Sequence, residues 1–350
     1  MMQDPTRPLR AGLIGCGFFS YNHLHAWREL AADVDLVAVC DADVARARRA
    51  AEEYAVPAWY DDAEEMLRAA RLDFVDIVTT PPSHRALVEA AARHGVAIIC
   101  QKPLAFELHD ARAMVAACRD AGVPFMVHEN FRWQPPMRAA RRVLDQGAVG
   151  RPFFGRLSWR THFDVFANQP YLAEETRLIV ADLGVHMLDL ARFYFGEPRA
   201  LTCQTQRVRP YIKGEDAATV LLQFDDASCV VDFSYSSYAP EDPFPQVLAH
   251  IEGAEGTVDV TLGYRLTIAH ADGTVEDDRL SIPRYSWTTP PWDVVQESVV
   301  AIQRHWVTCL RTGQMPETSG EDNLRTLALV ESAYVSAASG ATIDTQGAST

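Results

Sequence analysis

Asp182 and His186 stand four residues apart in the stretch "VADLGVHMLDL". On a helix that spacing puts a carboxylate and an imidazole on one face. Such a pair could move a proton: an imidazole titrates near neutral pH, and a carboxylate one turn away orients it and stabilises its charged form. Three other readings fit the same residues: Asp182 as a helix N-cap, His186 as a core histidine with its hydrogen bonds met, or both as half of a metal site. No third ligand at convincing spacing accompanies them, so no metal is expected. A second chemical group is Lys102 in "ICQKPL", a cation at the end of an apolar run and followed by Pro103. It reads as a solvated residue after a strand, or as a charge delivered to a site where it would stabilise a developing alkoxide.

A third pattern lies near the N-terminus. In "GLIGCGFFS", Gly15, Gly17 and Ser20 follow an apolar run and precede a helical stretch. This is the glycine fingerprint of dinucleotide binding with serine in the third place. The first glycine allows a tight turn, the second lets a pyrophosphate approach the backbone, and the third keeps helix and strand close. Asp41 ends the next apolar run, about 20 residues on, where a carboxylate accepts both ribose hydroxyls. A carboxylate there repels a 2′-phosphate and no arginine stands at 42 or 43, so NAD is favoured over NADP, with Arg46 as the counter-argument. A helix N-cap is the other reading of Asp41, and Asp43 could fill that role as well.

These groups need elements to hold them. Strand-like runs at 9–15, 34–40, 74–80, 96–100 and 124–130 alternate with helical stretches over the first 125 residues. That alternation, with near-continuous apolar strands, predicts an α/β doubly wound parallel sheet. Ligands of such sheets lie beyond the carboxyl ends of the strands, so the glycine loop, "TTPPSH" (79–84), "QKP" and "HENFRW" are expected to meet at one crevice. There Ser83 is read as the cap of the following helix and His84 as a first-turn surface histidine. After Pro135, strand-like stretches follow one another without interleaved helices of similar length, which predicts an antiparallel sheet. Helices interrupt it near 182–194 and return near 292–312 and 320–338. The domains are accordingly set at 1–125 and 126–350, with the helix at 320–338 packing back toward the first. The tail "GATIDTQGAST" is expected to be mobile.

Lys+Arg 32 against Asp+Glu 47 gives a net charge of −15, which excludes a general nucleic-acid binder. A dinucleotide is still allowed, because glycine loops bind phosphate through backbone N–H groups. Seven scattered cysteines without a C-x-x-C pair point to a reducing, cytoplasmic compartment. The first residues show no apolar leader, and no run approaches the ~18–20 apolar residues of a membrane span.

Gly15-Cys16-Gly17, Asp41, "TTPPSH", "QKPLA" and Asp182-x-x-x-His186 in "DLGVHMLDL" occur together in this order. With "GEPRA", "KGEDAATVLLQF", "IEGAEGTVDV" and the closing "TSGEDNLRTLALVESAYVSAASG", the chain resembles the Gfo/Idh/MocA family of nicotinamide-dependent sugar, polyol and inositol dehydrogenases over nearly its whole length. The resemblance implies a Rossmann domain followed by an α+β domain whose large, open, mostly antiparallel sheet packs in a homodimer or homotetramer. It implies a cis Lys102–Pro103 bond. It maps the family's Glu-Lys-Pro motif onto Gln101-Lys102-Pro103, where glutamine replaces the glutamate, and its catalytic pair onto Asp182 and His186. His186 is then the general base, Asp182 its orienter and Lys102 the electrostatic anchor of the reacting hydroxyl, with lysine as proton acceptor the alternative. Cofactor contacts are expected from Gly15, Gly17, Phe18, Phe19, Asp41, Thr80, Pro81, His84, Gln101, Lys102 and Asn130.

For a small sugar or polyol substrate, two stretches look like walls. Period-2 alternation puts His128, Asn130 and Arg132 on one strand face and Arg160, His162 and Asp164 on another. The competing reading is a sheet face that is simply solvated. "KGED" (213–216) is read as a solvated turn or an interface. Within the family, "GFFSYNHLHAW", "ICQKPLA" and "VHENFRWQP" look most like aldose dehydrogenases. The other classes kept open are a redox-neutral glycosidase that uses NAD transiently, an inositol or polyol dehydrogenase, and a non-catalytic sensor.

Overall fold

The computed structural model describes residues 7–346. The chain forms two compact units, one of residues 1–130 and 299–324, the other of 131–298 and 325–350. In the first unit the order is β1 (Leu9–Ile14), α1 (Ser20–Glu29), β2 (Val34–Cys40), α2 (Val44–Tyr54), β3 (Ala58–Tyr60), α3 (Ala63–Ala69), β4 (Phe74–Ile77), α4 (Pro81–Arg93), β5 (Ala97–Gln101), α5 (Leu108–Ala121) and β6 (Phe125–His128). The six strands pair in parallel in the order β3-β2-β1-β4-β5-β6. Every residue of β4, β5 and β6 is buried, which is why these runs read as nearly continuously apolar. The order reverses between β1 and β4, and this is the place where such sheets bind ligands.

The sequence divides the domains after residue 125, whereas the first compact unit runs to Asn130 and also takes in 299–324. Packing accounts for the return. Trp306 is fully buried with its ring 6.2 Å from Phe74, and Thr318 and Val127 exchange hydrogen bonds: the threonine hydroxyl donates to Val127 O at 2.7 Å and Val127 N donates to Thr318 O at 2.8 Å.

The second unit starts with a 3-10 turn at Asn130–Trp133 and α6 (Pro135–Asp145), then β7 (Pro152–Arg160). A π-helical turn at Val180–Gly184 leads into α7 (Val185–Phe195). The strands β8 (Ala200–Gln206), β9 (Ala217–Gln223), β10 (Ser228–Ser234), β11 (Leu248–Gly253), β12 (Gly256–Thr261), β13 (Arg265–His270) and β14 (Val275–Arg279) follow, then α8 (Asp293–Thr312), α9 (Gly320–Ser339) and β15 (Ile343–Asp344). They form one nine-stranded sheet in the order β14-β13-β12-β11-β7-β10-β9-β8-β15. β7 and β10 run parallel, and every other pairing is antiparallel. The tail expected to be mobile is partly pinned, because Ile343 and Asp344 pair with Leu201 and Ala200. Its last four residues lie outside the described residues. Among the described residues no helix is long and apolar enough to cross a membrane.

Candidate active site

In the first unit the chain leaves β1 through Gly15 at φ +98°, a conformation open to glycine. A Cβ there would lie 2.7 Å from the Val78 carbonyl carbon and oxygen, so the turn is glycine-only for two reasons. Gly17 differs, since a Cβ added to it meets nothing within 4 Å. Its open side faces no protein atom, which is the cradle a pyrophosphate would need. Ser20 does more than stay small: its hydroxyl donates to Gly17 O at 2.6 Å and closes the loop. Asp43 is the N-cap of α2, accepting from Ala45 N and Arg46 N. Asp41 is therefore free of that duty. Its Oδ2 accepts from Cys16 N and its Oδ1 from Asp43 N, both at 2.8 Å, tying the glycine loop to the end of β2. Burial and the Asp41 charge push the Cys16 thiol up to about 12, so it behaves as a small apolar residue. A cavity of about 490 Å³ opens beside this loop, lined by Cys16, Gly17, Phe18, Tyr21, Arg46 and Tyr54 among others.

At the ends of β4 and β5 the sequence reading needs two corrections. Thr80, not Ser83, takes the cap position of α4; Ser83 lies inside the first turn, its hydroxyl 2.7 Å from Thr79 Oγ1 and 2.9 Å from Thr80 O. His84 is not a surface histidine. It is fully buried, with Nδ1 3.0 Å from Leu104 O and Nε2 3.1 Å from Thr79 O, so it staples the loop after β4 to the loop after β5. Its place in the first helical turn shows in the sequence, whereas the loop after β5 that covers it does not. Burial holds its pKa below the ordinary imidazole range, against the pull of the carbonyls. The Lys102–Pro103 bond is cis. Gln101, 7% exposed, accepts from Lys102 N through Oε1 at 2.8 Å and reaches His23 Nε2 through its Nε2 at 2.9 Å.

In the second unit Asp182 sits in the π-helical turn and His186 in the first turn of α7, so the two are joined by an irregular helix rather than a single α-helix. Local π turns of this kind are frequent at functional sites. His186 is 4% exposed, with its ring stacked on Phe131 at 3.8 Å and 2°, which fixes the ring plane. Asp182 Oδ2 accepts from the Tyr235 hydroxyl at 2.7 Å. Burial, followed by the Asp182 charge, raises the Tyr235 phenol well above its usual value, which keeps it a donor.

The turn itself is held by Glu215. Its Oε1 accepts from Leu178 N and Val180 N, both at 3.1 Å, and from the Tyr334 hydroxyl at 2.7 Å. The reading of "KGED" as a solvated turn is thus corrected: Glu215 and Asp216 are buried, satisfied by backbone N–H and hydroxyl donors that sequence does not display. Gly214 permits the approach, since a Cβ there would meet Glu175 O at 2.7 Å.

The two expected walls do not form as drawn. β6 ends at His128, and Asn130 and Arg132 lie in a 3-10 turn, where alternation no longer applies. Arg132 is spent on a buried two-point ion pair with Asp189, at 2.6 and 2.7 Å. β7 ends at Arg160, so His162 and Asp164 do not share its face. Asp164 caps the short 3-10 turn Val165–Ala167 through Phe166 N. The His162 ring stacks on Tyr238 at 3.8 Å, and its backbone N–H donates to Asp242 Oδ2 at 2.9 Å. Among the described residues, no group of three or more His, Cys, Asp or Glu is placed to hold a metal ion.

Comparison with known proteins places this architecture. The description "Oxidoreductase family, NAD-binding Rossmann fold" matches residues 9–129, and "GFO/IDH/MocA C-terminal domain" matches 137–259. The chain belongs to the Gfo/Idh/MocA oxidoreductase family. This member is 55% identical to a D-apiose dehydrogenase of Paraburkholderia graminis over 97% of this chain and 90% of that protein. It is 49% identical to a D-apiose dehydrogenase of Rhizobium rhizogenes, over 96% and 97%. An oxidoreductase from Agrobacterium radiobacter, solved with NAD+, L-tartaric acid and magnesium, superimposes with a TM-score of 0.95 at 48% identity, covering 97% of this chain and 99% of that one. The chain is an NAD-dependent oxidoreductase with the Rossmann and mixed-sheet architecture that its sequence implies.

Several residues of this family member escaped the sequence reading. Tyr235 carried no signal, because its partner Asp182 is far away in sequence, and Glu215, read as part of a solvated turn, has its partners at 178, 180 and 334 hidden for the same reason. Asp76 did carry one: a carboxylate in the middle of the apolar strand "FVDIV" must find buried donors. It finds His23 Nδ1 at 2.7 Å and Trp27 Nε1 at 2.8 Å.

Proposed function

We propose that this enzyme oxidises a small aldose, D-apiose first among them, at its anomeric carbon to a lactone, with NAD as acceptor. The observation that carries this reading is the 55% identity over 97% of the chain to a D-apiose dehydrogenase, together with the presence of Lys102, Asp182 and His186. The cavity beside Gly17 and the open side of that glycine fit a dinucleotide. Gly15, Gly17, Phe18 and Phe19 would hold the pyrophosphate and Asp41 the ribose. Thr80, Pro81 and Asn130 would border the nicotinamide end, with His84 holding the Thr79–Pro81 backbone. When bound, NAD supplies the hydride acceptor.

The remaining chemistry belongs to side chains. His186, its plane set by Phe131, takes the hydroxyl proton. Asp182, held by Tyr235, orients the imidazole and stabilises its charged form. Lys102 donates to the substrate oxygen as charge builds there and lowers the cost of the alkoxide. Arg160 and His162 are half-exposed and would bind other substrate hydroxyls. The seven free, buried cysteines support a reducing, cytoplasmic setting, and the nine-stranded sheet supports a homodimer or homotetramer.

The test is a screen of D-apiose, other pentoses, hexoses and inositols for stoichiometric NADH. D-Apiose should give the highest kcat/KM, and Lys102→Ala and His186→Ala should each lower kcat at least about 100-fold. A clear preference for an inositol, or release of a glycoside's aglycone without NADH, would replace this reading.

A further inference from the structure

We propose that Asp76, His23 and Gln101 form a buried one-way relay of hydrogen bonds that positions the backbone of Lys102, and that only a residue both accepting and donating at 101 closes it. The inference rests on the reading of Lys102 as the anchor of the reacting oxygen.

The relay follows from donor and acceptor types alone. The Lys102 N–H can only donate, and it lies 2.8 Å from Gln101 Oε1. The amide oxygen therefore faces Lys102, which turns the NH₂ toward His23 Nε2 at 2.9 Å. An amide NH₂ has no acceptor, so His23 Nε2 carries no hydrogen and the ring hydrogen sits on Nδ1. Nδ1 then donates to Asp76 Oδ2 at 2.7 Å. Trp27 Nε1, which can only donate, reaches the same oxygen at 2.8 Å. Each link thus donates in one direction, from Lys102 N–H through Gln101 and His23 to the carboxylate.

Burial makes the arrangement consequential. His23 and Asp76 are fully buried, Trp27 is 2% exposed and Gln101 7%. A carboxylate in that setting needs its donors, and a broken link would strand a polar group away from water. The three relay residues come from α1, β4 and the end of β5, all in one compact unit. The side chain of residue 101 is the step that connects the buried carboxylate to the chain entering the cis Lys102–Pro103 bond. Glutamine satisfies both sides. An ionised glutamate at 101 would have no donor for His23, so closing the relay would take one more buried proton, on the carboxyl itself or on Nε2. Methionine would keep the length and lose both hydrogen bonds.

Two measurements on the full chain decide the matter. Histidine-selective 15N NMR should show His23 with hydrogen on Nδ1 and none on Nε2 in the wild type. A hydrogen on wild-type Nε2 overturns the relay. Steady-state kinetics of Gln101→Met should show kcat lowered about tenfold with the KM for NAD within about twofold, since a loosened Lys102 affects the reacting oxygen and not cofactor capture. A raised KM for NAD at unchanged kcat would overturn the positioning role and assign Gln101 to the cofactor directly. If the wild type oxidises no sugar, the proposed function fails while the NMR result still decides the relay.

Discussion

Replacing Glu215 tests how the second unit holds Asp182. One carboxylate oxygen accepts from Leu178 N, Val180 N and the Tyr334 hydroxyl. The Tyr334 oxygen in turn accepts from Ala181 N at 3.2 Å, so the start of the π turn hangs on this pair. In Glu215→Ala two backbone N–H groups and one phenol lose their acceptor. An unsatisfied buried donor costs ~1–3 kcal/mol, and partial entry of water offsets some of it, giving a loss of about 4 kcal/mol. Glu215→Gln keeps an acceptor oxygen and removes the charge. Because charge-assisted bonds are about twice as strong as neutral ones, its loss should be about half as large, ~2 kcal/mol. At ~2–4 °C per kcal/mol for a unit of this size, Tm should fall on the order of 10 °C for alanine and on the order of 5 °C for glutamine. Differential scanning calorimetry gives the stabilities, and steady-state kinetics on the sugar give the functional effect. In the alanine variant kcat should drop at least about tenfold while the KM for NAD stays close to wild type, since the glycine loop belongs to the other compact unit. Equal losses in the two variants would refute the acceptor argument, and wild-type kcat in the alanine variant would refute the link to Asp182.

Tyr235→Phe removes only the hydroxyl that holds Asp182, a hydrogen bond to a charged group worth ~1.5–3 kcal/mol, so kcat should fall about 10- to 100-fold without loss of fold; unchanged kcat with a normal circular dichroism spectrum would exclude that support. Gly15→Ala forces a Cβ to within 2.7 Å of the Val78 carbonyl at positive φ and should cost more than ~2 kcal/mol, together with NAD affinity measured by fluorescence titration; a wild-type Tm would contradict the clash. Asp41→Ala frees the glycine loop from β2, so the Kd for NAD should rise about tenfold or more and the preference over NADP should narrow; an unchanged ratio would remove Asp41 from the ribose. His84 has a folded pKa below its unfolded value, so the unfolded chain binds the proton first; its contribution is intact above pH ~6.5 and is lost as pH falls from there toward the folded pKa. Urea midpoints at pH 7.5 and 5.5 should therefore fall less in His84→Gln than in the wild type, and parallel losses would oppose this assignment.

Much of the architecture was legible in one dimension because it is periodic and local. Apolar runs separated by helical stretches specify parallel strands, and Gly15 and Asp41 are placed by the turn and strand end in which they sit. The alternation failed where strands stopped early: β6 at His128 and β7 at Arg160, each followed by irregular turns that carry no period. His84 and Glu215 looked like surface residues because charge and helix position were visible and the loops covering them were not.

By itself the sequence determined the two kinds of sheet, the glycine loop, the lysine after β5 and the Asp182–His186 spacing, since each rests on residues close together along the chain. Only the tertiary structure decided what those groups are held by: Tyr235 on Asp182, Glu215 under the π turn, and the His23–Asp76 pair behind Gln101. The physical reason is the cost of burying a polar group. That cost obliges each buried carboxylate or imidazole to find a partner, and says nothing about where along the chain the partner will be.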